Sequence, residues 1–235
     1  MIPANFRKFV SDAILHLVEY GTSVSLPYDE KVEGCSGYYA SGWESASGGE
    51  LCVATAKPWR DWGEIFLHEY SHFLQQLDDD AGIELAYPVL SECQSARMWA
   101  AVDPVWSGTE GVEPYAGAEL RWALEAAQRM EADCDRRALE LIRDHSLPFD
   151  IDMYTRKANA YHMFYSVLCT TRRWWDAPAY YVPEIVEKMP TTLLNTWEPT
   201  PELVDMYIHH CYDDVTGDEG EGELSELGAG AAAAR

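Results

Sequence analysis

His68 and His72 stand four residues apart, with Glu69 beside the first of them, in the run Leu67-His68-Glu69-Tyr70-Ser71-His72-Phe73. Ile65, Phe66, Phe73 and Leu74 flank the pair, which leaves few folds open to the chain. Residues four apart on a helix share a face, with Cβ atoms about 5–6 Å apart, so each imidazole can offer a nitrogen to one ion. The apolar flanks put that face inside the protein, where uncommitted imidazoles would need other partners. Glu69 is offset by one residue. It is poorly placed to bind the same ion but can reach a water bound to it, which is the position of a general base. The helix must therefore be buried, and another element must bring it a third ligand.

Two glutamates are candidates for that ligand. Glu131 lies in Met130-Glu131-Ala132-Asp133-Cys134-Asp135, in the middle of a long helical pattern, with Asp135 one turn later on the same face. In that pairing Glu131 ligates the ion, while Asp135 accepts the second N–H of a ligand histidine and fixes its tautomer. Glu92, in Leu90-Ser91-Glu92-Cys93, lies on the helix after the motif, and Ala96 stands where a supporting carboxylate would be needed. Glu119 and Glu125 read as solvated positions.

Around this centre the chain divides by periodicity. Phe6, Phe9, Val10, Ala13, Ile14, Leu17 and Val18 recur at helical spacing before Gly21, so residues 4 to 20 are predicted to form an amphipathic helix. From 22 to 56, short β-prone runs (Val24 to Tyr28, Tyr38-Tyr39, Leu51 to Thr55) alternate with Gly-rich turns, which predicts a small antiparallel sheet. Helical patterns follow from Trp59, with Asp61 as the expected N-cap. Further helices are predicted over Leu85 to Val102, Glu113 to His145, and roughly 151–171, 180–189 and 201–212, punctuated by Pro148, Pro178, Pro183, Pro190 and Pro201. The order is α+β, a small sheet on the motif helix followed by a mainly helical C-terminal part.

At 235 residues, with 47% hydrophobic residues, the chain can bury one sizeable core. One domain over 1–212 is expected, followed by a flexible tail over 213–235, where Asp213, Asp214, Asp218, Glu219, Glu221, Glu223 and Glu226 precede a Gly/Ala-rich end. A formal charge of −23 repels phosphate backbones and anionic membranes, so direct nucleic-acid binding is not expected. Charge alone would also suit an acidic decoy for a nucleic-acid-binding protein, but it more simply serves solubility. Cys35, Cys52, Cys93, Cys134, Cys169 and Cys211 are widely scattered and read as reduced thiols. Lys8, Asp12, His16 and Glu19 interrupt the N-terminal helix, so no signal peptide is expected, and the expected setting is cytoplasmic.

The His-Glu-x-x-His motif and the Glu131/Asp135 pair resemble the zincin metallopeptidases, and among them the gluzincins, whose third ligand is a helical Glu commonly found in Glu-x-x-x-Asp. The spacing from His72 to Glu92 resembles the thermolysin family instead. Gly49 to Thr55 and Glu131-Ala132-Asp133 are also similar to segments of the small metallopeptidases encoded beside phage repressors, although a long insert separates His72 from Glu131 here. The resemblance implies a zincin-like fold, one Zn2+ per chain on His68, His72 and Glu131, Glu69 as base, and a peptide or protein substrate. It also implies that the strand Leu51 to Thr55 borders the cleft and pairs with substrate. A group that polarises the scissile carbonyl is sought among Tyr154, Tyr161, His162 and Tyr165, with Tyr161 and His162 the named candidates. Trp174, Trp175, Tyr180 and Tyr181, beside Arg172 and Arg173, read as core that could also line a cleft or partner surface. The competing expectation is a non-catalytic binding or structural protein that keeps zinc for stability. Glu69 argues against it, since a structural site needs no base there.

Overall fold

Phe6, Phe9, Val10, Ala13 and Leu17 are buried along one stripe of the first helix, α1 (Ala4–Glu19), whereas Val18 turns outward at 58% exposure. The computed structural model describes residues 1–41, 49–80, 92–106, 118–175 and 177–212, with the side chains of 79–80, 92–96 and 106 outside that description. The acidic tail and the first part of the helix expected from Leu85 therefore lie outside the described residues.

Three strands follow α1: β1 (Ser23–Ser25), β2 (Gly37–Ser41) and β3 (Gly49–Val53). Their order is β1-β3-β2; β1 pairs with β3 in parallel and β2 pairs with β3 antiparallel. The sheet is thus mixed, not antiparallel as expected. The segment expected to border the cleft, Leu51 to Thr55, falls largely on β3. That strand is central, with β1 and β2 on its two edges, so it is not an edge strand as that role requires.

Helix α2 (Trp59–Asp80) packs across β2 and β3. The Pro58 carbonyl receives the N–H of Asp61 at 2.9 Å, so Asp61 is not the N-cap but an acid of the first turn, where it complements the helix dipole. Two α2 neighbours depend on missing side chains. A Cβ on Gly63 would stand 2.8 Å from the Phe6 ring and 2.9 Å from the Phe149 ring, and one on Gly37 of β2 would stand 2.7 Å from Ile65.

The remaining helices are α3 (Glu92–Trp106), α4 (Ala118–Asp144), α5 (Ile151–Thr171), α6 (Pro183–Val186) and α7 (Pro201–Cys211), with a 3-10 turn at Ala179–Tyr181. Asp150 caps α5 by accepting the Met153 N–H, and Thr200 caps α7 in the same way with Leu203. Among the described residues the architecture is α+β, three strands and mostly helices.

Buried side chains form two clusters. One joins α1, the sheet and α2 to the C-terminal end of α4 and the start of α5, through residues such as Leu51, Phe66, Phe73, Leu139 and Tyr154. The other joins α3, the first half of α4, the rest of α5, α6 and α7, through residues such as Met98, Leu124, Phe164, Ile185 and Tyr207. Helices α4 and α5 run through both. Between the clusters the middle of α4 buries Gln128, Glu131, Asp133, Asp135 and Arg137, and buried polar groups of this kind require partners. No helix among the described residues is long and apolar enough to cross a membrane.

Candidate metal centre

Helical spacing on α2 sets the imidazoles of His68 and His72 nearly perpendicular, with ring centroids 4.9 Å apart. Helix α4 packs against α2 and delivers Glu131 between them. Glu131 Oε2 lies 2.9 Å from His68 Nε2 and 3.4 Å from His72 Nε2, and the three groups offer ligand atoms all within 4.8 Å of one another. The oxygen is buried and, among the described residues, has no hydrogen bond of good geometry, although the two nitrogens lie close to it. A buried carboxylate oxygen without a hydrogen bond, facing two imidazole nitrogens, is what a shared cation would satisfy. The side chains of His68 and His72 are 14% and 15% exposed, and that of Glu131 is 7%.

The far nitrogens fix the tautomers. His68 Nδ1 is 3.0 Å from Asp135 Oδ1, and the carboxylate can only accept, so Nδ1 carries a proton and Nε2 is the nitrogen that keeps the lone pair when the ring is neutral. Asp135 also accepts the Tyr154 hydroxyl at 2.7 Å and His162 Nε2 at 2.9 Å. His72 Nδ1 faces Gln75 Oε1 at 3.3 Å and Cys134 Sγ at 2.8 Å. Thus His68, His72 and Glu131 could hold a metal ion through Nε2, Nε2 and a carboxylate oxygen.

Charge reinforces the arrangement. Burial opposes ionisation of Glu131, but His72 and His68 hold its carboxyl down to about 2. Burial likewise opposes the charge on Asp135, and His68 and His162 outweigh it, keeping that carboxyl far below the usual range. For His68, burial favours the neutral ring, yet Asp135 and then Glu131 raise its pKa well above the ordinary value; His72 is raised too, by Glu131 against its burial. Glu69, 9% exposed, moves the other way from Glu131. Burial lifts its pKa, only partly offset by His68 and His72, and the backbone N–H of Tyr39 in β2 donates to its carboxylate. Burial also pushes the Cys134 thiol up, as do Glu131 and Asp135, so the sulfur stays protonated.

The other expected positions sort clearly. The Tyr161 ring lies 6.1 Å from that of His68, and its hydroxyl pairs with that of Tyr165 at 3.0 Å, beside Trp175 and Tyr180. His162 is fully buried behind Asp135 with its ring against Trp197, so it touches the centre through Asp135 and has no face toward a substrate. Tyr154 is also spent on Asp135. Trp174 and Trp175 pack on Phe164 as core, while Tyr180 reaches from that cluster to Tyr161. Glu119 is exposed and pairs with Arg97, and Glu125 is exposed. Glu92 opens α3, and its side chain lies outside the described residues.

Sequence reasoning missed Gln75, Cys134, Asp133 and the Tyr39 backbone. Only Gln75 left a local signal, three residues beyond His72 on the same helix. Comparison with known protein families, curated proteins and solved structures finds no match for the chain.

Proposed function

We propose that the chain is a zinc-dependent metallopeptidase of the gluzincin type, with a zincin-like fold. The observation that carries this reading is the convergence of His68 Nε2, His72 Nε2 and the unbonded Glu131 Oε2, with Glu69 one residue out of line with the ligands. Two neutral imidazoles and one carboxylate are the donor set of catalytic zinc sites that keep a fourth position open, whereas structural sites fill it with a further Cys or His. Zinc held there would supply a Lewis acid that polarises a carbonyl and brings the acidity of water toward neutral pH.

The chain's own residues do the rest. Glu69, its basicity raised by burial, takes the proton of the attacking water and returns it to the leaving amine. The Tyr39 N–H orients the Glu69 carboxylate. An extended substrate would pair with the edge of β2 that faces away from β3 among the described residues, at backbone groups other than the Tyr39 N–H that Glu69 takes, because the Ser36 carbonyl already receives the Ala54 N–H and the pairing alternates along the strand. To Tyr161, whose ring lies 6.1 Å from that of His68, we assign donation to the developing oxyanion, which would draw its hydroxyl from Tyr165.

Metal analysis after zinc loading, combined with a peptide-library assay on wild type and Glu69→Gln, tests the reading. Wild type should hold one zinc per chain and cleave peptides; Glu69→Gln should keep the zinc and lose about a hundredfold or more in rate. Zinc uptake without cleavage by wild type would favour a zinc-stabilised binding protein.

A further inference from the structure

Gln75 is 4% exposed and follows His72 by three residues on α2, which sets its side chain beside the imidazole nitrogen that faces away from Glu131. Its amide cannot be turned around. Nε2 donates to the Met130 carbonyl at 3.0 Å and to Asp133 Oδ2 at 2.9 Å, and both partners only accept. Oε1 must therefore face His72 Nδ1 at 3.3 Å and the Cys134 thiol at 3.1 Å. Asp133 is itself anchored: Arg137 Nε donates to Oδ2 at 2.8 Å and Arg136 Nη2 donates to Oδ1 at 2.6 Å. Arg137 then returns to α2, where Nη1 donates to Asp78 Oδ2 at 2.6 Å. A chain of hydrogen bonds, most of them charge-assisted, runs from Asp78 of α2 through Arg137 and Asp133 of α4 and returns to α2 at Gln75.

We propose that Gln75 is the positioning residue of the second metal ligand, an inference that rests on the metal-site reading above. Its Oε1 accepts the His72 Nδ1–H, so Nε2 presents a lone pair to the ion. The same oxygen, with two lone pairs, takes the Cys134 S–H, which leaves the sulfur as a weak auxiliary acceptor 2.8 Å from Nδ1. The two ligand histidines are thereby supported unequally. A carboxylate stands behind His68, and a neutral amide, oriented by the Asp133–Arg137–Asp78 circuit, stands behind His72.

Zinc competition against a chelator and nitrogen-15 NMR of the imidazoles, on wild type, Gln75→Leu and Cys134→Ala, test this. In zinc-loaded wild type His72 should bind through Nε2 and show a protonated Nδ1. Gln75→Leu should weaken zinc about 10–100-fold and lose the His72 Nδ1–H signal, while the His68 signal, backed by Asp135, persists. General loosening of the helix would blur both histidines, so loss confined to His72 marks a positioning role. Cys134→Ala should keep both affinity and signal. The proposal is overturned if Cys134→Ala takes the loss and Gln75→Leu does not, or if wild-type His72 binds zinc through Nδ1. The wild-type spectrum decides the second point even if Gln75→Leu does not fold. A wild type that takes up no zinc would overturn the metal-site reading, and this inference with it.

Discussion

Asp135 carries three donors on two buried oxygens: the His68 Nδ1–H and the Tyr154 hydroxyl on Oδ1, and the His162 Nε2–H on Oδ2. Asp135→Asn would turn an amide N–H₂ toward groups that themselves donate, so zinc affinity should fall about 10–100-fold through the misplaced His68. Glu131→Ala removes a proposed ligand outright and should cost more than that, leaving two imidazoles; Glu92→Ala should leave affinity nearly intact. A chelator titration of the three variants checks the order, and the reverse ranking of Glu131 and Glu92 would move the third ligand to α3. Proton linkage gives a further expectation at this scale. The pKa of His68 is raised, so its contribution to the stability of the metal-free protein is complete below its ordinary value of 6.5 and is lost as pH rises through the folded value. Glu131, depressed to about 2, contributes fully above its ordinary 4.5, and that contribution is lost as pH falls toward the folded value. Metal requires the neutral imidazoles and so competes with the same protons. The gain in melting temperature from added zinc should therefore be small near about pH 5.5 and grow toward about pH 8. A gain that shrank with rising pH would contradict the ligand set.

Among the elements, the meeting of β2 and α2 decides where Glu69 stands. Gly37 lets the strand lie against Ile65: an added Cβ would meet Ile65 Cγ2 at 2.7 Å and the Cys52 carbonyl oxygen, a backbone atom that cannot swing aside, at 3.0 Å. Gly37→Ala should therefore destabilise the protein by about 1–3 kcal/mol. On the proposed function, it should also lower the hydrolytic rate more than zinc affinity, since Tyr39, two residues on, holds Glu69 while the proposed ligands sit on α2 and α4. Denaturant unfolding, zinc titration and peptide cleavage on the one variant would separate these effects. Equal losses in affinity and rate would show that β2 does not govern the base.

In the molecule as a whole, α4 and α5 connect two apolar clusters, and the candidate metal centre lies in the polar layer between them. An ion on His68, His72 and Glu131 would tie α2 to α4 across that layer. Zinc in excess of its dissociation constant by about a hundredfold should add roughly 2.7 kcal/mol to stability, and a chelator should remove it; an unfolding midpoint indifferent to both would mean that the folded chain has no preferred site.

What the sequence by itself determined is whatever helical geometry repeats locally. Residues 151–171 are helical as their pattern predicts, the i, i+4 spacing of His68 and His72 puts both rings on one face, and Glu131 and Asp135 share a side of α4 by the same rule. The order β1-β3-β2, the parallel pairing of β1 with β3, the retreat of His162 behind Asp135 and the circuit that ends on Gln75 were decided only by the tertiary structure. Each of them joins groups remote in the chain. Which strand becomes central, and which acceptor meets a given imidazole nitrogen, depends on how whole elements pack, and no spacing within one element records that.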